Sequence, residues 1–335
     1  MCRPRFSPTD ETLVPQIPVT PKDDKAQALR YALRMSNRRV AAIDIGSNSI
    51  LLTIVEARTP LHILVDEATV TGLSKGLSKE GLIQPDRLKK SLDTLSKYRA
   101  LLDEHDVKEV KVAATEALRK AKNGEEVRKQ IEQVLKLPVD LIPGDREAEL
   151  SFWSVQKDFA DRKAKKLVFD IGGASTELCY GSDRGIEHRI SLKVGSVLLS
   201  EKFGLKNKSD GSEASKYVWE LLKPLNWKTE PCLGFGVAGT ITTALAVEMK
   251  MTQYQRSKVH GQSISRDRIE FWRKEILSRN LDERRDLPGL PFDRADVFGG
   301  GVTIISVLMD YFKWNEVICM DSGVRFGLIY EMLGL

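Results

Sequence analysis

The sequence predicts an α/β protein made of two related domains. Its 335 residues exceed the length of one average domain. Two distant segments, residues 39–55 and 166–181, repeat one pattern: an apolar strand, Asp-Ile-Gly, a turn of small polar residues and a second strand. Because two similar units lie so far apart in the chain, they indicate a duplicated domain.

The second copy contains the residue types of a phosphate loop. Asp170 ends the first strand, and the small residues after it let the backbone approach a ligand closely. Successive backbone N–H groups in such a turn form an anion site. Asp170 and Glu177 beside it suit a hydrated Mg²⁺, which prefers oxygen ligands. The predicted phosphate-binding residues here are Gly172, Gly173, Ala174, Ser175 and Thr176.

The first copy aligns Asp44-Ile45-Gly46 on Asp170-Ile171-Gly172. It predicts Asp44 as a third metal-binding carboxylate. The predicted phosphate-binding residues of this copy are Gly46, Ser47, Asn48 and Ser49. Either copy alone is also explained as a plain hairpin turn, since turns are rich in Asp and Gly. Together they predict two phosphate loops that face each other across a cleft.

The composition is that of a globular protein with cores of its own. The chain is 41% hydrophobic and 30% charged, with a net charge of +5, which suits an anionic partner without proving one. No apolar run approaches the roughly 18 residues of a membrane span, and the N-terminus lacks the apolar segment of a secretory signal. The four cysteines have no paired spacing, so we expect reduced thiols and a cytoplasmic protein. We also expect no membrane partner and no nucleic-acid partner.

Between and beyond the two copies, strand and helix patterns alternate. Residues 1–37 contain five prolines and are expected to be disordered or extended, with one short helix at 25–35. Pro85 begins a helix with leucines on one face, and Asn123 is expected to cap the next helix. We predict strands at 62–68, 107–114, 139–142, 185–191, 232–238 and 316–320, and helices at 212–222, 266–277, 295–312 and 324–333.

Two glycine-rich segments leave alternatives open. The loop at 72–81 either leans over an anionic substrate or is simply solvated, and the second reading is preferred. Gly299-Gly300-Gly301 lies inside a helical pattern, so it indicates either a break or close packing. Gly239 and Thr240 begin a helix after a strand, which is either an anion site or a turn that needs glycine.

Taken together, these motifs resemble the actin, sugar kinase and Hsp70 superfamily, and within it the exopolyphosphatase and guanosine pentaphosphate phosphohydrolase family. The resemblance runs from about residue 40 to the C-terminus. It rests on six ordered motifs: the two loops and residues 114–119, 142–148, 259–261 and 294–296. It predicts the short form of the family, without the C-terminal helical domain of longer members.

The resemblance implies two actin-like (ribonuclease H-like) domains with the active site between them. We expect a tail at 1–37, domain I at 38–160 plus 322–335, and domain II at 161–321. It also implies catalytic roles for Glu147, Arg119 and Arg294, although an acid at a helix start and an arginine near one have ordinary structural explanations. Gly239 and Thr240 join the phosphate-binding residues, and the metal ligands are Asp44, Asp170 and Glu177.

The implied reaction is hydrolysis of a terminal phosphoanhydride, with Glu147 activating water. Inorganic polyphosphate is the first expected substrate and guanosine pentaphosphate the second. Mg²⁺ is the expected cofactor, K⁺ a candidate activator, and a homodimer the expected assembly. A nucleotide- or polyphosphate-binding sensor without turnover would keep the loops but would not need Glu147.

Overall fold

The computed structural model describes residues 38–58, 60–159, 163–227 and 230–335. The predicted tail at 1–37 and its short helix lie outside the described residues. Within the described ranges, no helix is both long and apolar enough to cross a bilayer.

The first sheet has five strands in the order β3-β2-β1-β4-β5. They are β1 (Arg39–Ile45), β2 (Ser49–Glu56), β3 (His62–Val70), β4 (Glu109–Ala114) and β5 (Asp140–Leu141). β1 pairs antiparallel with β2 and parallel with β4. Alternate residues of β1 enter two different apolar clusters, with Ile43 in one and Ala42 in the other. Both faces of this sheet are therefore covered by helices, as is usual for sheets with parallel strands.

Of the four helices described in this part, those that begin at Pro85 and directly after Asn123 were predicted. The four are α1 (Leu77–Glu80), α2 (Pro85–Glu104), α3 (Glu116–Lys120) and α4 (Gly124–Leu135). α2 and α4 cover one face of the sheet, where Leu95 and Ile131 are fully buried. Asn123 does not cap α4 with its side chain as predicted, because that side chain makes two hydrogen bonds to the backbone of Ile83.

The second sheet has six strands in the order β10-β11-β9-β6-β7-β8. They are β6 (Lys166–Ile171), β7 (Thr176–Ser182), β8 (Gly185–Leu192), β9 (Leu233–Val237), β10 (Ser263–Ser265) and β11 (Glu316–Cys319). The antiparallel run β6-β7-β8 and the parallel neighbour β9 repeat the arrangement of β1-β2-β3 and β4. The duplication predicted from the two Asp-Ile-Gly segments is therefore also present in the strand order. Lys166 is fully buried at the start of β6.

The remaining helices surround the second sheet or connect it to the first. They are α5 (Gly144–Asp158), α6 (Ser196–Lys202), α7 (Ser212–Leu222), α8 (Ala238–Glu248), α9 (Arg256–Val259), α10 (Arg266–Leu277), α11 (Leu281–Arg285), α12 (Phe298–Phe312) and α13 (Val324–Leu333), with a 3₁₀ turn at Phe292–Arg294. α13 packs back on the first sheet through Leu328 and Ile329. α5 packs Phe152 and Val155 on the second sheet but Leu150 beside α13. Since α5 is shared between the two sheets, the division at residue 160 stays a prediction.

The three consecutive glycines lie within α12, which continues through them without a break. A Cβ atom on Gly300 would lie 2.6 Å from the carbonyl oxygen of Ser196, and one on Gly301 would lie 2.5 Å from Cγ2 of Thr240. The glycines therefore serve close packing of α12 against α6 and α8. This resolves the two alternatives in favour of packing.

Candidate active site

The two Asp-Ile-Gly segments form tight turns of the same geometry. The amide of Gly46 donates to the carbonyl of Ser49 at 3.0 Å, and the amide of Gly172 donates to the carbonyl of Ser175 at 3.0 Å. Each turn joins two antiparallel strands, so each acidic residue lies at the end of a strand just before its loop. Both segments are hairpins. Whether they are phosphate loops depends on which groups lie opposite them.

The two loops face each other directly. A Cβ atom on Gly173 would lie 2.9 Å from Cβ of Ser47 and 3.2 Å from the amide nitrogen of Asn48. Only glycine lets the loops approach this closely. The amides of Ser47, Asn48 and Gly173 donate to no other group in the described part of the chain, so they remain available to an anion.

A cleft of about 800 Å³ lies between the two sheets at these loops. Most of the residues predicted from the sequence line it. They are Asp44, Gly46, Ser47, Asn48, Ser49, Glu147, Asp170, Gly172, Gly173, Glu177, Gly239, Thr240 and Arg294. Thirteen predicted residues from distant parts of the chain thus converge on one space, as the paired loops predicted.

Three predicted phosphate-binding residues do not line the cleft. Ala174, Ser175 and Thr176 are buried behind the second loop, and the hydroxyl of Thr176 donates to the carbonyl of Val194 at 2.6 Å. Thr176 is the first residue of β7, and its side chain holds the loop rather than faces a ligand.

Four carboxylates converge on the cleft from different elements. Asp170 and Glu177 lie opposite each other on β6 and β7. Each is held by a serine hydroxyl: Ser151 donates to Asp170 at 2.9 Å, and Ser191 donates to Glu177 at 2.7 Å. Asp44 has a buried oxygen, Oδ1, without a hydrogen-bond partner among the described residues. Glu147, the fourth, lies in the first turn of α5 and is 7% exposed.

All four carboxyl groups have raised pKa values. Burial, then Asp170, raises the pKa of Asp44 to about 7, although Arg325 opposes this. Burial raises the pKa of Asp170 to about 6, and burial together with Asp170 raises that of Glu177 to about 8. Burial and then Glu177 raise the pKa of Glu147 well above its ordinary value. So many buried acids next to one another favour a bound cation or shared protons.

The carboxylates fit the ligand preferences of Mg²⁺. The orphaned Oδ1 of Asp44 and the acids on β6 and β7 are hard oxygen donors. In the described residues, no three His, Cys, Asp or Glu side chains form a complete metal centre by themselves. Mg²⁺ there would therefore need water or phosphate oxygens in its coordination shell, and Mg²⁺ usually keeps such ligands in proteins.

Glu147 has one oxygen held and one unbonded. Its Oε1 accepts from Nη1 of Arg119 at 2.8 Å, whereas Oε2 has no hydrogen bond to any described residue. Arg119 also donates to the carbonyl of Ile142 and to Glu116, and it lies behind Glu147 rather than in the cleft lining. Arg146, next to Glu147 in the sequence, pairs with Glu149 and Glu331.

Arg294 enters the cleft from the opposite side. Its Nη2 donates to the hydroxyl of Ser49 at 3.1 Å, so it reaches from the second sheet to the first loop. A Cβ on Gly239 would overlap the guanidinium of Arg294, so the glycine leaves room for the arginine in this position. The hydroxyl of Thr240 donates to the carbonyl of Ile171, so it fixes the end of β6.

The glycine- and lysine-bearing loop at 72–81 is not simply solvated, contrary to the preferred prediction. The amides of Gly72 and Ser74 donate to the carbonyls of Asn48 and Ser47, so this loop supports the first phosphate loop. Its Lys75 pairs with Asp296 at 2.6 Å. Asp296, which belongs to the 294–296 motif, is therefore directed at this lysine and is absent from the cleft lining.

Sequence reasoning missed part of the cleft wall. Residues 285–291 line it, as do residues 251, 252 and 254 and Arg325 on α13. Arg325 pairs with Asp66 at 3.3 Å and with Asp321 at 3.0 Å. No local motif marks these residues, since they reach the cleft only through the packing of α11 and α13. Pro288-Gly289 is the one signal of a turn in this region.

A model of the Ppx/GppA phosphatase family matches residues 28–335. The chain is 33% identical to the bifunctional 3-dehydroquinate synthase/phosphatase of Fusobacterium nucleatum, covering 87% of this chain but only 46% of that protein. It is 31% identical to exopolyphosphatase 2 of Mycobacterium tuberculosis, covering 82% and 91%. It is 26% identical to the guanosine-5'-triphosphate,3'-diphosphate pyrophosphatase of Photobacterium profundum, covering 88% and 59%.

Solved structures agree with these matches. A crystal structure of the Ppx/GppA member of Aquifex aeolicus is 31% identical, with a TM-score of 0.72, covering 88% of this chain and 97% of that one. The predicted fold class, two actin-like domains with mixed sheets flanked by helices, is confirmed by this likeness.

Proposed function

Because this chain belongs to the Ppx/GppA phosphatase family, we propose that it hydrolyses the terminal phosphoanhydride bond of inorganic polyphosphate. The observation that carries the proposal is the state of Glu147. It is a buried carboxylate with one oxygen fixed by Arg119 and the other free, in a cleft between two loops with unused amides.

The free oxygen of Glu147 can accept the proton of an attacking water. A general base must lie within hydrogen-bond reach of that proton and have a pKa near the working pH. Burial, and then Glu177, raise the pKa of Glu147 above its ordinary value. The water attacks the terminal phosphorus, the proton passes to Glu147, and the shortened chain leaves as the phosphoanhydride bond breaks.

The loops and Arg294 stabilise the negative charge of the transferring group. Amides of Ser47, Asn48 and Gly173 can donate to phosphate oxygens, and Arg294 brings a positive charge to the same place. Preorganised donors of this kind supply most of phosphoryl-transfer catalysis.

Asp44, Asp170 and Glu177 would hold Mg²⁺. When bound, the ion neutralises phosphate charge and the charge of these acids. Ser151 and Ser191 keep two of the three carboxylates pointed into the cleft. Three further proposals rest on the family resemblance alone. They are K⁺ as an activator, a homodimeric assembly and a cytoplasmic location.

The apolar part of the cleft favours a second candidate substrate. Met251, Leu287 and Leu290 line one wall, and Leu51 and Val70 line another. Bare polyphosphate has no apolar group to place there, whereas a guanine base does. Guanosine pentaphosphate is therefore the second candidate.

The test is phosphate release from polyphosphate, guanosine pentaphosphate and ATP, measured side by side with Mg²⁺. We expect release from polyphosphate, with the pentaphosphate next. Fastest release from the pentaphosphate would reverse the order of the two candidates. Tight binding with no release from any of the three would favour a sensor and end the hydrolase proposal.

A further inference from the structure

Glu116 is a buried carboxylate outside the cleft lining to which the reaction above assigns no role. It lies in the first turn of α3, directly after β4, and is 2% exposed. Its Oε2 accepts from Nη2 of Arg119 at 2.6 Å, while its Oε1 accepts from Lys193 at 3.1 Å and lies 3.0 Å from Lys120. A buried carboxylate is costly unless it is paired, and this one has three cationic partners.

These bonds keep Glu116 charged. Burial works against the charged form, but the hydrogen bonds from Lys120, Arg119 and Lys193 outweigh it and hold the pKa of Glu116 below its ordinary value. Lys193 lies between β8 and α6, so it approaches from the second sheet, while the other two cations are on α3 itself. Glu116 is therefore held by cations on its own helix and by a cation beside the second sheet.

Arg119 is shared between two acids. Its guanidinium has five N–H donors. One goes to Glu116, one to the carbonyl of Ile142 and one to Oε1 of Glu147. Glu147 thus receives a single bond, and its second oxygen is left for the cleft.

The alternative geometry would block that oxygen. Arginine and carboxylate groups commonly form a bidentate pair with two parallel hydrogen bonds. On Glu147 such a pair would occupy both oxygens. Glu116 opposes this because it holds Nη2, one of the two nitrogens of such a fork, against its own Oε2 at 2.6 Å.

We propose that Glu116 is a positioning residue: by sharing Arg119 with Glu147, it restricts Arg119 to one oxygen of Glu147 and leaves the other free to accept a hydrogen bond from water. This rests on the proposed hydrolysis. The role is indirect, since Glu116 acts through Arg119 and touches no part of the cleft.

The central test is Glu116→Gln measured by phosphate release from polyphosphate. The neutral amide of the new side chain binds the guanidinium weakly, so we expect Arg119 to form a bidentate pair with Glu147. We expect kcat to fall about tenfold or more while KM stays within about twofold, because the loss is in proton acceptance rather than binding.

A second background separates positioning from general damage. In Arg119→Lys, the compact ammonium cannot form a fork. Adding Glu116→Gln to Arg119→Lys should therefore change kcat by less than about twofold. An equal loss in both backgrounds, or a folded Glu116→Gln protein with the kcat of the wild type, would overturn the proposal.

Two controls match the change in charge and geometry. Lys120→Gln removes a different partner of Glu116 and leaves the Arg119 bonds in place. Glu125→Gln breaks a pair with Arg128 of the same three-residue spacing on α4. Both should keep kcat near the wild type. If Glu116→Gln does not fold, Lys193→Gln is combined with it to restore the charge balance.

The two proposals can fail separately. Wild-type protein that releases no phosphate from any substrate overturns the hydrolase. A crystal structure of Glu116→Gln then decides on Glu116 by itself. Two hydrogen bonds from Arg119 to Glu147 would support positioning, and one unchanged bond would overturn it.

Discussion

Glu147→Gln removes the proposed base with the least change in shape. The guanidinium of Arg119 can only donate, so the amide oxygen of the new side chain takes the place of Oε1 and keeps the 2.8 Å bond. The amide NH₂ then occupies the position of the free oxygen, where it cannot accept a proton.

The expected loss follows from that single change. General-base catalysis contributes roughly 10²–10⁴-fold, which is about 3–5 kcal/mol of transition-state stabilisation. Substrate binding should stay within a few-fold, because the loop amides and Arg294 are untouched and one buried negative charge is gone. Phosphate release gives kcat, and titration with polyphosphate gives the affinity.

Glu149→Gln is the matched control. Glu149 lies two residues later on α5, pairs with Arg146 at 2.9 Å, and is absent from the cleft lining. It should keep the activity of the wild type. A Glu147→Gln protein with more than about a tenth of the wild-type kcat would remove the base from the mechanism.

Three further outcomes are expected. The raised pKa of Asp44, about 7, means that the folded protein binds protons more tightly than the unfolded chain, so without Mg²⁺ the melting temperature should fall as the pH rises from 5 to 8. Mg²⁺ should raise the melting temperature more at pH 8 than at pH 5, and a melting temperature insensitive to Mg²⁺ would contradict the metal assignment. Gly300→Ala should cost about 1–3 kcal/mol in urea unfolding, because its Cβ meets the carbonyl of Ser196 at 2.6 Å; an unchanged midpoint would contradict the packing. Gly173→Ala should cost more free energy in kcat/KM than in unfolding, because its Cβ pushes against Ser47 and separates the loops. An unchanged kcat/KM would mean that the loops need not meet.

The sequence by itself determined the local parts of the site. Asp-Ile-Gly followed by small residues dictates a tight turn after a strand, and its two copies were sufficient to predict facing loops. Glu147 and Arg294 were located by motif and do line the cleft. Such features are readable because the chemistry of a turn or a helix start lies within a few consecutive residues.

Tertiary structure alone decided what each side chain touches. Thr176 belongs to a loop motif yet turns inward, Asp296 faces Lys75, and Arg325 reaches the cleft without any motif. Glu116 and Arg119 are three residues apart, but the hydrogen bond from Arg119 to Glu147 depends on how α3 meets α5. Contacts between distant elements depend on the packing of whole sheets, and no stretch of consecutive residues encodes that packing.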